Sequence, residues 1–450
     1  MTIPHSRVIR ISASSLLTGL LIGGVGGAFR FLLIKADNFR NALVAWAHAW
    51  PYLGWLAPVA LGTLGAVVAR LLVVRFAPEA EGSGVQRVEA VLSGEIPPAP
   101  HGIVLVKFFG GLLSMGSGLA LGREGPTVQM GASLSSVASR FLLKHREDTE
   151  FVEDAKIIDA AGAGAGLAVA FNAPIGGSVF VFEELTSSFT PWLLVGTFAA
   201  AACAVWTMRL MLGNHVDFTV QQVTLTAVWR TWPFFVLGAL LGGVGALYNS
   251  TIIRFVHLSD RFSRVSPLNR AALIGATIGL TAWFAPTMVG GGDNLTQIVL
   301  SGHYGITALV GIFLLRFLIG PFSYAAGTPG GLFAPMLVLG ASFGALIGLI
   351  LNYFLPALGI TPVACAVVGM ATLFTACVRA PLTGIVLTVE MTGRGDLTLA
   401  LIGASLVAMV VTILVDSEPI YVTLKRRTIE RQQTEAHKLS GIGQRQQKVT

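Results

Sequence analysis

Long apolar stretches broken by short polar or glycine- and proline-rich segments set the pattern of this chain. Runs long enough to cross a hydrocarbon core, which takes roughly 20 residues per helix, lie at about 11–34, 52–75, 190–213, 232–250, 271–290, 306–326 and 396–415. Seven such runs predict a polytopic membrane protein built from helices. The first is long, has no clear small-residue cleavage pattern and is followed by many more spans, so it reads as structure and not as a cleaved leader. Glycines and prolines sit inside the apolar sequence, where they mark close helix approach or a deliberate break in a helix.

The breaks recur. Gly125-Pro126 followed by Gly131-Ala132-Ser133 returns as Ala334-Pro335 followed by Gly340-Ala341-Ser342, and Ala173-Pro174, Gly177 and Glu183 return as Ala380-Pro381, Gly384 and Glu390. The first pair is 209 residues apart and the second 207. Two matches at nearly one interval predict a duplicated unit, 15–222 and 223–424, joined near the polar stretch around His215 and Asp217, with a short leading segment 1–14 and a basic tail 425–450. Duplicated halves with interrupted apolar segments in corresponding places point to a transporter whose site lies at the repeat interface.

Composition strengthens the membrane reading: 54% of residues are hydrophobic and 12% charged, against about 25% charged in soluble domains, and the mean hydropathy is +0.73. Much of the net charge of +7 sits at the ends, in Arg7 and Arg10 and again in Lys425, Arg426, Arg427 and Arg431. The positive-inside rule then places both termini in the cytoplasm. The tail lacks interleaved aromatics and directly follows a span, so nucleic acid is not the expected partner. Cys203, Cys365 and Cys377 have no metal-ligand spacing and lie in apolar sequence, which reads as core packing without disulfides, metal or cofactor.

Charge inside the apolar sequence carries the chemistry. Arg123 and Glu124 lie in the segment from Gly116 to Pro126, where a central charge costs about 2.5–3.5 kcal/mol even on a lenient scale. Adjacent helical residues do not face each other, so mutual neutralisation is a poor explanation. The flanking glycines and Pro126 instead predict a helix that begins here with free backbone N–H groups facing an anion. Gly330-Gly331-Leu332-Phe333-Ala334-Pro335 supplies a matching start in the second half, and Ser83 in Glu81-Gly82-Ser83-Gly84-Val85 offers a hydroxyl between glycines. Helix N-termini converging from both halves would hold an anion with partial dipoles, weakly enough for release.

Gly82-Ser83-Gly84, Gly122 to Pro126, Phe171-Asn172-Ala173-Pro174 and Gly330 to Pro335, in that order, resemble the signature segments of the CLC family of chloride channels and chloride/proton antiporters. The resemblance covers nearly the whole chain and is to the bacterial type. It implies an all-α inverted repeat with broken helices, a homodimer with one anion pathway per subunit, and residence in the bacterial plasma membrane. It also implies roles. The Ser83 hydroxyl, the Leu332 and Phe333 amides and the Tyr421 hydroxyl match the central anion site, Arg123 and Gly125 the outer anion pathway, Glu124 the gating glutamate, and Lys107 a family lysine that raises the local potential unless it snorkels to the interface. Two departures stand out: Gln86 replaces the proline that often ends the first signature, and the chain stops soon after Tyr421, leaving no room for paired cytoplasmic regulatory domains.

Other readings are weaker. Ser83 or Ser117 as an intramembrane nucleophile lacks a base with motif support, and Ala161-Gly162-Ala163-Gly164-Ala165-Gly166 lacks the strand and ribose-binding acid of a dinucleotide site. The rival is a passive chloride channel of the same fold. Glu183 and Glu184 bear on that choice, because Glu184 matches the inner proton-transfer glutamate of family antiporters. Glu183 has a repeat counterpart in Glu390 and reads as structural, whereas Glu184 pairs with Met391 and is the unmatched acid.

Overall fold

The computed structural model describes residues 5–50, 52–142, 149–221, 228–262 and 264–447. Seventeen α-helices form, with two isolated β-bridges and no strand among the described residues. The first half comprises α1 (His5–Ala47), α2 (Leu56–Phe76), α3 (Val85–Leu92), α4 (Ile103–Gly116), α5 (Glu124–Leu142), α6 (Thr149–Phe171), α7 (Pro174–Phe180) and α8 (Pro191–Leu212). The second comprises α9 (Trp232–Arg261), α10 (Pro267–Phe284), α11 (Asp293–Leu300), α12 (Ile306–Tyr324), α13 (Phe333–Phe354), α14 (Pro362–Val378), α15 (Pro381–Thr392) and α16 (Thr398–Leu414). A last helix, α17 (Ile420–Gln447), follows. Pro occupies the first turn of α8, α10, α14 and α15, where its missing N–H costs nothing and its fixed φ favours the helix.

Seven helices among the described residues are long and apolar enough to cross a membrane. Six coincide with runs expected from the sequence; two differences need a reason. The run at 271–290 is not among the seven, because α10 opens on the polar Asn269 and Arg270 and ends at Phe284, two residues before Pro286. In its place stands Phe333–Phe354, whose apolar stretch is interrupted early by Pro335 and whose most apolar window is 67% buried within the protein. α1 runs without interruption from His5 to Ala47, across the division expected at residue 14, and the junction expected at 222–223 lies outside the described residues.

The halves repeat each other helix by helix. The starts of α3 and α11 are 208 residues apart, those of α5 and α13 209, and those of α7 and α15 207. Packing repeats too: α5 lies on α6 as α13 lies on α14, and α1 on α8 as α9 on α16. Contacts between halves are reciprocal. Glu183 accepts from the amides of Leu382 (3.0 Å) and Thr383 (2.7 Å), while Glu390 accepts from those of Ile175 (3.2 Å) and Gly176 (2.7 Å). Reciprocal contact is the signature of a two-fold axis. Gly122 and Gly331, each the other's counterpart, exchange both backbone hydrogen bonds in an antiparallel bridge (2.8 and 2.6 Å), which places the axis between them. Because the chains run antiparallel there, α5 and α13 leave the axis in opposite directions. The fold is the all-α inverted repeat with broken helices that the sequence led us to expect.

Candidate functional site

Ser83 sits in a turn that only glycines permit on either side. Gly82 (φ +68°) and Gly84 (φ +96°) are left-handed, and Gly84 leads into α3. Lys107 of α4 is fully buried and donates to the carbonyls of Gly82 (2.7 Å) and Ser83 (3.1 Å), so it does not snorkel; its charge lies beneath the turn. The Ser83 amide donates to the Tyr324 hydroxyl (3.4 Å). Ser83 Oγ has no hydrogen-bond partner among the described residues, and the buried Tyr421, in the first turn of α17, lies within interaction range of it. Gly125 closes the approach from α5, where a Cβ would come within 2.2 Å of Ser83 Oγ.

From the second half, Leu332 and Phe333 bring the start of α13 to the same place. Both are buried, and the Phe333 ring is held between Phe171 and Phe374, with centroids 4.7 and 4.0 Å away. The first amides of a helix have no intrahelical acceptor, so the α5 and α13 N-termini present donors around the two-fold axis. Glu124 occupies that focus. It is 1% exposed, its carboxylate faces its own amide and that of Ala334, and neither oxygen makes a hydrogen bond of ordinary geometry.

Arg123 does not pair with Glu124. Its guanidinium donates to the Ala170 carbonyl (2.8 Å), Asp293 (2.8 Å) and Asp217 (3.5 Å), and Asp217 also receives Arg30 (2.5 Å). This chain of alternating charges lines a cavity of about 250 Å³ that reaches Glu124. Asp217, which the sequence offered only as part of a polar joint between halves, is thus drawn into the site.

Glu183 and Glu184 lie in a π-helical turn, Val181–Leu185, that extends α7. Glu183 is spent on the N-terminus of α15. Glu184, half-buried, has no hydrogen-bond or ion-pair partner among the described residues.

A family model described as Voltage gated chloride channel matches residues 64–412. The chain belongs to this family. Among its CLC relatives, the protein named H(+)/Cl(-) exchange transporter ClcA of Vibrio cholerae is 37% identical over 431 residues, covering 94% of this chain and 91% of that one. A protein of the same name from Cronobacter sakazakii is 36% identical, over 93% of this chain and 90% of its own. The crystal structure of a slow cyanobacterial Cl-/H+ antiporter superposes with a TM-score of 0.88 at 30% identity, covering 96% of this chain and all of that one. These are transporters, and the CLC fold here serves transport and not enzymatic turnover.

The CLC symmetry exposes residues that motif reading missed. Gly290 (φ +77°) and Gly292 (φ +102°) lie 208 residues beyond Gly82 and Gly84 and carry the same left-handed backbone into α11. Arg316, 209 residues beyond Lys107 and 1% exposed, donates to the carbonyls of Gly290 (2.8 Å) and Gly291 (2.9 Å) as Lys107 does to Gly82 and Ser83. The interval that revealed the repeat also finds this pair. Symmetry ends at the side chains: Gly291 stands opposite Ser83, and Asp293 opposite Val85, so only the Ser83 turn carries a hydroxyl.

Proposed function

We propose that this chain exchanges chloride for protons across a bacterial membrane, with Glu124 as gate and outer proton carrier and Glu184 as inner proton-transfer residue. The observation that carries the reading is the buried Ser83 hydroxyl, free of any hydrogen bond of ordinary geometry, beside the start of α5, where the buried Glu124 carboxylate is likewise unbonded. Ionised, the Glu124 carboxylate competes with anions for the donors at the α5 and α13 N-termini, which favour negative charge. Protonated, it loses that attraction and cedes the position to chloride. The central anion then meets the Ser83 and Tyr421 hydroxyls and the Leu332 and Phe333 amides, while Arg123 and Gly125 belong to the outer path. Glu184, lacking a cationic partner, is suited to passing protons without holding an anion. Kinship with proteins named as H(+)/Cl(-) exchangers supports the same reading. Both termini in the cytoplasm and a homodimer with one pathway per subunit complete it.

Purified protein in liposomes, with chloride efflux and proton uptake recorded together, tests the proposal. Chloride leaving down its gradient should drive protons inward against theirs. Chloride efflux with no accompanying proton movement would make the chain a passive channel and Glu184 a structural acid.

A further inference from the structure

A second concentration of positive charge lies beside the turn that carries Ser83. A cavity of about 180 Å³ lies where the ends of α2, α9, α10 and α12 meet α3 and α17, and five arginines line it: Arg70, Arg87, Arg270, Arg427 and Arg431. Three carboxylates share the wall, Glu79, Glu81 and Asp260. Glu81 and Asp260 are committed to Arg70, Arg427 and Arg431. Arg87 and Arg270 have no carboxylate within ion-pair distance among the described residues; Arg270 donates instead to the carbonyl and hydroxyl of Ser259, and the Nε of each arginine is buried without a partner. Arg87 is 6% exposed; its guanidinium donates to the Pro97 carbonyl (3.4 Å) and the Gln432 side-chain oxygen (3.1 Å), so it is hydrogen-bonded, yet no carboxylate neutralises its charge, an unusual depth for such a group.

A second cavity of about 870 Å³ shares Arg70, Asp260 and Arg427 with the first and continues along Val73 and Val74 of α2 and Ile253 of α9. Val74 is 47% exposed on the outer face of a membrane-crossing helix. Basic recesses that open onto apolar walls at helix ends suit an anionic headgroup with its chains laid along the helices.

We propose that this recess holds the phosphate group of an anionic membrane lipid. Its inner wall is made of Gly82, Gln86 and Tyr324, and Tyr324 accepts the Ser83 amide. An occupant therefore abuts the turn that carries Ser83, and lipid composition reaches the transport site through it. The Gln86 departure from the family proline gains a place here, since Gln86 Oε1 is buried, partnerless and on the cavity wall.

Native mass spectrometry of the intact protein, titrated with cardiolipin, phosphatidylglycerol or phosphatidylcholine, reads lipid retention directly and does not depend on which ion is transported. Anionic lipid should be retained over phosphatidylcholine. Arg87→Gln and Arg270→Gln should each weaken that retention roughly fivefold, as expected for one basic residue near an anionic headgroup, whereas Arg87→Lys and the exposed control Arg75→Gln should preserve it. Anion flux in liposomes should respond to anionic lipid in the wild type and less in the double variant. Equal retention of neutral lipid, an equal loss in Arg75→Gln, or an effect of soluble inorganic phosphate in neutral liposomes that replaces the lipid effect would each overturn the assignment.

Discussion

A carboxylate that no hydrogen bond fixes is free to leave, and Glu124 combines that freedom with a position among helix N-termini that attract its charged form. Removing the charge should therefore open the path and not block it. In liposomes Glu124→Gln should keep anion efflux, with little dependence on pH, while proton uptake falls to background; retained proton pumping would remove Glu124 from the mechanism. Ser83 makes a different prediction. Its hydroxyl is an unspent donor, and a hydrogen bond to a charged group contributes roughly 1.5–3 kcal/mol. Ser83→Pro should lower the preference for chloride over nitrate by about tenfold, in matched flux assays, with transport itself preserved. An unchanged ratio would mean that this turn does not line the central site.

Among the elements, the π-helical turn after α7 sorts two adjacent acids into different work. Consecutive residues of a helical turn do not face the same neighbour. Glu183 thereby reaches across to cap α15 just as Glu390 caps α7, and Glu184 is left without a partner. Loss of a cap costs on the order of 1 kcal/mol. Glu183→Gln should accordingly lower the thermal stability of the purified protein while changing coupling little. Glu184→Gln should do the reverse, abolishing chloride-driven proton uptake with substantial chloride efflux and an unshifted melting transition. Equal effects of the two on coupling would reject the division of labour. Small residues serve the elements as well: Gly131 and Gly162 meet backbone to backbone between α5 and α6, and Gly340 and Gly369 between α13 and α14, where any Cβ would fall within about 2.5 Å of a carbonyl oxygen.

At the scale of the molecule, the two-fold relation between halves has a consequence for topology. Corresponding points must face opposite sides of the membrane. Ser93, just past α3, and His303, just past α11, are exposed residues in matched turns. With Cys203, Cys365 and Cys377 replaced, Ser93→Cys and His303→Cys should react with a membrane-impermeant maleimide from opposite faces of sealed vesicles. Labelling of both from one face would contradict the inverted arrangement. The same symmetry explains why the Ser83 turn and the Gly290–Gly292 turn share a backbone and a buried cation yet diverge in chemistry: duplication copies the path of the chain, while each side chain is afterwards free to change.

Much of this was legible in the sequence because it is written locally. A glycine or proline restricts φ at its own position, so the breaks that start α5 and α13 and the interval between them survive in the linear pattern. Hydropathy over roughly 20 residues likewise marks a span; it overreached at α10, which polar residues and a proline trim, while α13 is apolar enough to qualify but its early Pro335 hid it as a broken run. Partner choice is different in kind. Arg123 meets Asp217 and Asp293 across 94 and 170 residues, Lys107 and Arg316 spend buried charge on backbone carbonyls, and Arg87 finds no carboxylate in a recess that six helices build. Ion pairs and desolvated charges depend on which distant segments arrive together, and that is settled only when the two halves pack about their axis.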